Sequence, residues 1–166
     1  MIKDIVQYRA KLNPNKIFII DQNKNITYLD FNQQVSSIMQ YINKICEHKY
    51  IGLQISNKIK LLQTIIALNR LNKIPIIYPP HINIRDNIIA TKIKINLTDE
   101  HFNQVKYNKK DYSQNNKIIK YNKNVTQVIL FTSGTTGIPK ACELTYNNFK
   151  HNTKLWNNII NFSEED

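Results

Sequence analysis

Glycine is almost missing from this chain. Three occur in 166 residues, which excludes collagen-like repeats and glycine-rich linkers. Alanine (4) and arginine (3) are nearly as scarce, against 29 isoleucines, 24 asparagines and 20 lysines. Residues with AT-rich codons are raised together and those with GC-rich codons are lowered together. The pattern points to an AT-rich genome, that of an organelle such as a plastid or of a reduced intracellular lineage, with a cytoplasmic setting otherwise. It also changes the meaning of the +11 net charge. A basic balance ordinarily raises the prior for nucleic-acid or anionic-membrane partners. Here the charge is lysine, scattered singly among asparagines, whereas backbone binders cluster their charge and use arginine freely. No nucleic-acid partner is expected.

Cysteine is equally sparse. Cys46 and Cys142 are far apart and have no metal-ligand spacing, so neither a zinc site nor a disulfide framework is indicated and a reducing compartment is expected. Cys46, at the end of an amphipathic stretch, reads as a small core residue. No apolar stretch approaches the ~20 residues of a membrane span. The opening Met1–Val6 lacks the apolar core of a secretion signal and the Ser/Arg richness of a transit peptide.

What is present reads as α/β. Ile2, Ile5, Val6 and Leu12 follow helical spacing up to Pro14. Residues 16–20 and 26–28 form a hairpin around the polar turn 21–25. Thr27 with Asp30 imitates a capping box and opens a helix with Phe31, Val35, Ile38, Met39, Ile42 and Ile45 on its core face. A strand over 50–55 precedes a helix capped by Ser56 or Asn57, with Leu61, Leu62, Ile65, Ile66 and Leu68 inward. The strand 74–80, stopped by Pro79 and Pro80, completes a βαβ crossover and implies a parallel sheet. A short helix over 82–92 and a strand over 92–97 follow. Residues 105–124 are almost wholly polar and read as a solvated, mobile connection. Residues 125–131 read as a buried strand and 142–145 as a short one. Asn147 or Asn148 caps a closing helix that buries Phe149, Leu155, Trp156 and Ile159. His48, His81, His101 and His151 show no ligand spacing and read as surface or turn positions. Asp111 and Glu164–Asp166 read as solvent-facing charge.

Two of the three glycines sit in Phe131-Thr132-Ser133-Gly134-Thr135-Thr136-Gly137-Ile138-Pro139-Lys140. Glycine reaches positive φ without cost and lets another group approach the main chain. Successive N–H groups in such a turn form an anion nest, to which hydroxyls add donors and a lysine adds mobile positive charge. This is the chemistry of a polyphosphate cradle. It is neither the Walker loop, whose glycines are four residues apart and precede Lys-Ser/Thr, nor the dinucleotide fingerprint.

The order Thr-Ser-Gly-Thr-Thr-Gly-x-Pro-Lys resembles the signature loop of the adenylate-forming superfamily, which includes acyl- and aryl-CoA synthetases, luciferases and peptide-synthetase adenylation domains. The likeness is close over 125–149 and loose elsewhere. It implies a partial parallel or mixed sheet with flanking helices, the N-terminal part of the large domain of such an enzyme, across 1–166. It also implies ATP, Mg2+ and CoA as cofactors and a small carboxylic acid as substrate. The motif assigns phosphate binding to Thr132, Ser133, Gly134, Thr135, Thr136 and Gly137, and contact with the β- and γ-phosphates, the catalytic role, to Lys140. Ala141 stands where a glycine is common. Thr145-Tyr146-Asn147-Asn148, a Thr-aromatic-x-Asn sequence, is similar to the o-succinylbenzoate–CoA ligases, with Phe149 in place of the histidine that usually follows the asparagine.

Members of that superfamily are considerably longer. Their aromatic-Gly-x-Thr-Glu motif, ribose-binding aspartate and C-terminal catalytic lysine have no counterpart here. The expectation is an AMP-forming acid–thiol ligase, truncated or split, with a polypeptide supplying the C-terminal part. Its rivals are a non-catalytic remnant or binding module of the same fold and, more weakly, a basic nucleic-acid binder.

Overall fold

The computed structural model describes residues 2–22, 24–78, 93–107, 117–132 and 140–161. The helix expected over 82–92, the strand end at Pro79–Pro80, His81, Asp111 and Glu164–Asp166 lie outside the described residues.

The chain opens with a two-residue strand, β1 (Ile2–Lys3), and the helix α1 (Ile5–Leu12), capped by Asp4, whose carboxylate accepts from the Gln7 N–H at 2.8 Å. The expected hairpin is β2 (Ile17–Asp21) with β3 (Lys24–Thr27), antiparallel and paired Ile17 to Thr27. Thr27 then caps α2 (Tyr28–Ile45): its hydroxyl accepts from the Asp30 N–H at 3.1 Å and donates to the Asp30 carboxylate at 2.7 Å. Phe31, Val35, Ile38 and Ile42 are fully buried on the predicted face, while Ile45 stays 40 % exposed. Each of the four contributes about 1.5–3 kcal/mol of apolar burial.

The main sheet contains β4 (Tyr50–Gln54), β5 (Ile74–Ile77), β6 (Asn96–Thr98), β8 (Thr126–Thr132) and β9 (Lys140–Thr145), in the order β6-β4-β5-β8-β9. The first four are parallel and β9 is antiparallel to β8. Between β4 and β5 runs α3 (Lys58–Arg70), capped by Asn57, whose side chain accepts from the Lys60 N–H at 2.9 Å. Ser56 is not the cap; its N–H donates to the Asp99 carboxylate at 2.9 Å. The strand at 96–98 leads into a 3₁₀ turn (Asp99–Gln104), in which His101 bonds back to Thr98. Cys46 is buried, as its setting predicted.

The principal core joins α2, α3 and one sheet face through Ile51, Leu53, Leu68 and Leu97; a second cluster on the other face gathers Ile74, Ile76, Tyr78, Ile93 and Ile129. Gly52 answers that second face. A Cβ there would lie 2.7 Å from Asn96 Oδ1 and 3.2 Å from the Tyr78 ring. No helix among the described residues is long and apolar enough to cross a membrane.

Three expectations need correction. On α3, Leu68 is buried with Gln63, Thr64 and Ala67, whereas Leu62 is 37 % exposed. Leu61, Ile65 and Ile66 are half-buried and pack against the core as expected, and Leu62, Ile65 and Ile66 also line a trough beside the helix. Within 105–124, Val105 is buried, and β7 (Lys120–Tyr121) pairs antiparallel with β1, burying Tyr121. One tyrosine in a polar run is enough to anchor it, because its ring packs while its hydroxyl finds a partner. Residues 108–116 lie outside the described residues.

The third correction concerns α4 (Tyr146–Ile160). Thr145 caps it rather than Asn147 or Asn148: its hydroxyl accepts from the Asn148 N–H at 3.3 Å, and the Asn148 side chain accepts from the Thr145 N–H at 2.8 Å. Thr145→Ala is expected to cost about 1 kcal/mol, read as a lower urea midpoint. None of the residues of α4 is buried, and Trp156, expected in the core, is 53 % exposed. The periodicity correctly marks an apolar face, but no described element packs on it.

Candidate functional site

β8, Thr126–Thr132, carries its apolar run through the sheet and ends at Thr132. Because β4, β5 and β8 are parallel, their carboxyl ends share one edge of the sheet. In open α/β sheets ligands bind outside that edge. β9 returns antiparallel, with Lys140 opposite Thr132 in register. The Thr132 hydroxyl donates to the Lys140 carbonyl at 3.4 Å, and both residues are exposed. Thr132 and Lys140 are thus brought together at the mouth of the hairpin. Ser133, Gly134, Thr135, Thr136 and Gly137 belong to the connection that they bracket and lie outside the described residues.

The mouth rests on a rigid base. Phe131 stacks on Tyr78 with centroids 5.3 Å apart, and Tyr78, 1 % exposed, follows β5 directly and donates its N–H to the Leu53 carbonyl at 2.9 Å. Two neighbouring strand ends are therefore tied through aromatic contact beneath the hairpin mouth. A charged donor and a hydroxyl placed together at this edge can grip an anion.

A second polar assembly was not foreseen. Arg70, at the end of α3, donates from Nε to Asp4 at 2.8 Å, and from Nη2 to Asp4 at 3.2 Å and to Asn32 at 2.6 Å. Asp4 also accepts from the Tyr121 hydroxyl at 2.8 Å. The ion pair is buried on both sides. Burial by itself would raise the Asp4 carboxyl, but Arg70's hydrogen bond and charge, with the Gln7 N–H and the Tyr121 hydroxyl, outweigh it and hold the group below the ordinary 3.8. The Tyr121 hydroxyl is pushed up, first by burial and then by the Asp4 charge. Tyr121 stacks on Tyr146 at 4.6 Å, which links the cluster to the residue that follows β9. The sequence signal was present: one of three arginines stands where lysine is the default. The planar guanidinium fork meets both Asp4 oxygens and Asn32 Oδ1 at once, a geometry that the point charge of an ammonium group does not reproduce.

The fold is that of adenylate-forming enzymes, over the N-terminal part of their chains. O-succinylbenzoate coenzyme A synthetase (MenE) from Bacillus subtilis, solved with AMP, superposes with a TM-score of 0.78 at 15 % identity, over 99 % of this chain and 48 % of that one. The N-terminal subdomain of Klebsiella oxytoca NpsA, bound to 3-hydroxyanthranilyl-AMSN, gives 0.70 at 16 % identity, over 86 % and 40 %. Among curated proteins, 2-succinylbenzoate–CoA ligase of Staphylococcus epidermidis (strain ATCC 12228) is 29 % identical over 169 aligned residues, 96 % of this chain. The same ligase of Oceanobacillus iheyensis is 23 % identical over 84 % of the chain. The chain spans about a third of the length of these curated relatives, 35 % and 33 %. No protein-family model matches it. The resemblance to the adenylate-forming superfamily that rested on the loop therefore extends along the fold.

Proposed function

We propose that the chain contributes the phosphate-gripping part of an AMP-forming acid–thiol ligase. The observation that carries this reading is the register of Thr132 and Lys140 across the hairpin, at the carboxyl edge of a parallel sheet of the superfamily's fold. In such a ligase a carboxylate oxygen attacks the α-phosphorus of ATP, pyrophosphate leaves, and a thiol such as that of CoA captures the acyl-adenylate. Negative charge grows on the departing pyrophosphate, and donors fixed where it develops lower the barrier. That task falls to the N–H groups and hydroxyls of Thr132, Ser133, Gly134, Thr135, Thr136 and Gly137, with Lys140 on the β- and γ-phosphates. Among the described residues no three of His, Cys, Asp and Glu converge on a metal position. Mg2+ would enter on the phosphates, as it commonly does in nucleotide sites.

The finer reading is 2-succinylbenzoate as the acid, in menaquinone or phylloquinone synthesis, supported by the two ligases of that name and by the Thr145-Tyr146-Asn147-Asn148 sequence. The alternative is a fold-mate that keeps phosphate binding, or only the fold, without turnover. Titration of the chain with Mg–ATP in a calorimeter tests the coarse reading: saturable heat is expected, and a flat titration overturns it. Exchange of labelled pyrophosphate into ATP that requires 2-succinylbenzoate, and not benzoate, tests the finer one.

A further inference from the structure

We propose that a second copy of this chain docks on the free edge of the main sheet, with β9 paired to β9 and α4 packed on α4 across a two-fold axis normal to the sheet. The proposal does not depend on the nucleotide reading. β9 ends the order β6-β4-β5-β8-β9 and, among the described strands, pairs with β8 alone. Lys140, Ala141, Cys142 and Glu143 are exposed along it. An open strand edge is a template for another strand. The helix supplies a second surface on the same side of the molecule. The trough has Val128 and Leu130 of β8 in its floor, α3 as one wall and α4 as the other, so α4 is the wall on the β9 side. Its trough face carries Lys150, Thr153, Lys154 and Asn157. At about 100° per residue, Leu155 and Ile159 stand on the opposite face with Trp156 beside them, looking away from α3 and past the β9 edge. They are 64, 74 and 53 % exposed in that order.

Symmetry and charge select the occupant. A two-fold contact is reciprocal, and facing residues of an antiparallel pair point to the same side of the sheet. Only registers centred on a residue satisfy both conditions. Within Lys140–Thr145, centres at Cys142 and Glu143 keep the longest ladders. The Glu143 centre sets that carboxylate against its own copy, and like charges directly opposite are destabilising. The Cys142 centre faces Lys140 with Leu144, Ala141 with Glu143, and Cys142 with itself, so no like charges meet. The same axis leaves both α4 helices on one sheet face, antiparallel, with their outward faces towards each other. Asn148, Asn152, Leu155, Trp156 and Ile159 on that face carry no charge, and Lys150 and Lys154 stay on the trough side. The +11 of each copy therefore opposes association only from a distance, where salt screens it.

Sedimentation equilibrium is expected to show a two-chain mass as concentration rises, with the emission of Trp156, the only tryptophan, shifting blue in step. Added salt should tighten the dimer, because like charge is what opposes it. Diamide, which takes two electrons and two protons from a pair of thiols, should link the copies through Cys142. Facing Cα atoms of an antiparallel pair lie about 4.5–5.5 Å apart, within disulfide reach. Cys46 is buried and Cys142 exposed, so Cys142→Ser should abolish the link and keep the two-chain mass. Leu155→Asp and Ile159→Asp, at exposed positions, should leave the circular dichroism unaltered and each weaken the dimer by about 10-fold or more. A one-chain mass at every concentration overturns the proposal. So does a dimer that salt loosens, that both substitutions leave unchanged, or that diamide does not link through Cys142. A Trp156 shift seen only on adding phosphatidylglycerol vesicles also overturns it, since the occupant would then be a lipid surface.

Discussion

Arg70→Met is expected to lower the unfolding free energy by about 3–5 kcal/mol, because it leaves the Asp4 carboxylate buried without its counter-charge. The other acceptor it strands is Asn32 Oδ1, 2.6 Å from the lost Nη2. The effect should be visible as a collapse of the urea midpoint. The double variant Asp4→Asn/Arg70→Met should recover most of the loss, since the uncompensated charge disappears with the pair. A double variant no more stable than Arg70→Met would show that packing, and not charge, sets the cost. The pH dependence follows from the same pair. The folded-state carboxyl of Asp4 titrates below its ordinary 3.8, so the unfolded chain binds its proton first as the pH falls. The contribution is fully present above the ordinary value and is lost as the pH drops through the lower folded value. Unfolding free energies at pH 7 and near the acid end of that window should differ more in the unsubstituted chain than in Asp4→Asn.

Lys140→Ala is expected to weaken Mg–ATP binding by about 10- to 100-fold, the scale of one charge-assisted hydrogen bond to phosphate. Lys109→Ala, in the polar stretch 105–124, should leave binding within about 2-fold, because the glycine-rich motif gives that lysine no phosphate contact. The two substitutions remove the same charge from the chain, so equal losses would mean that Mg–ATP responds to net charge and not to a site. Circular dichroism should be unaltered in both, since Lys140 is exposed at the end of its strand.

Local chemistry was legible wherever one short stretch contains both partners. Thr27 and Asp30 sit three residues apart and cap α2 as their spacing predicted, and Asn57 caps α3 by accepting from the Lys60 N–H one turn on. The strand–helix–strand alternation over 50–77 gave the parallel pairing of β4 and β5. Thr132 and Lys140 were named from the glycine-rich motif alone, and the antiparallel return of β9 on β8 puts them in register. Gly52 was legible only as a strand residue; its need for a missing Cβ arises from Asn96 and Tyr78, which neighbouring strands supply.

Sequence alone determined the periods of the helices, the cap of α2, the strand–helix–strand alternation that implies parallel pairing, and the glycine-rich connection with its lysine, since each is written in the order of neighbouring residues. Tertiary structure decided the rest. Arg70 and Asp4 are 66 residues apart, and Tyr121 reaches Asp4 across 117, separations for which no spacing rule exists. It also decided that Leu62 and Trp156 look outward: a helical period marks which residues share a face, but only the packing of other elements determines whether that face is covered.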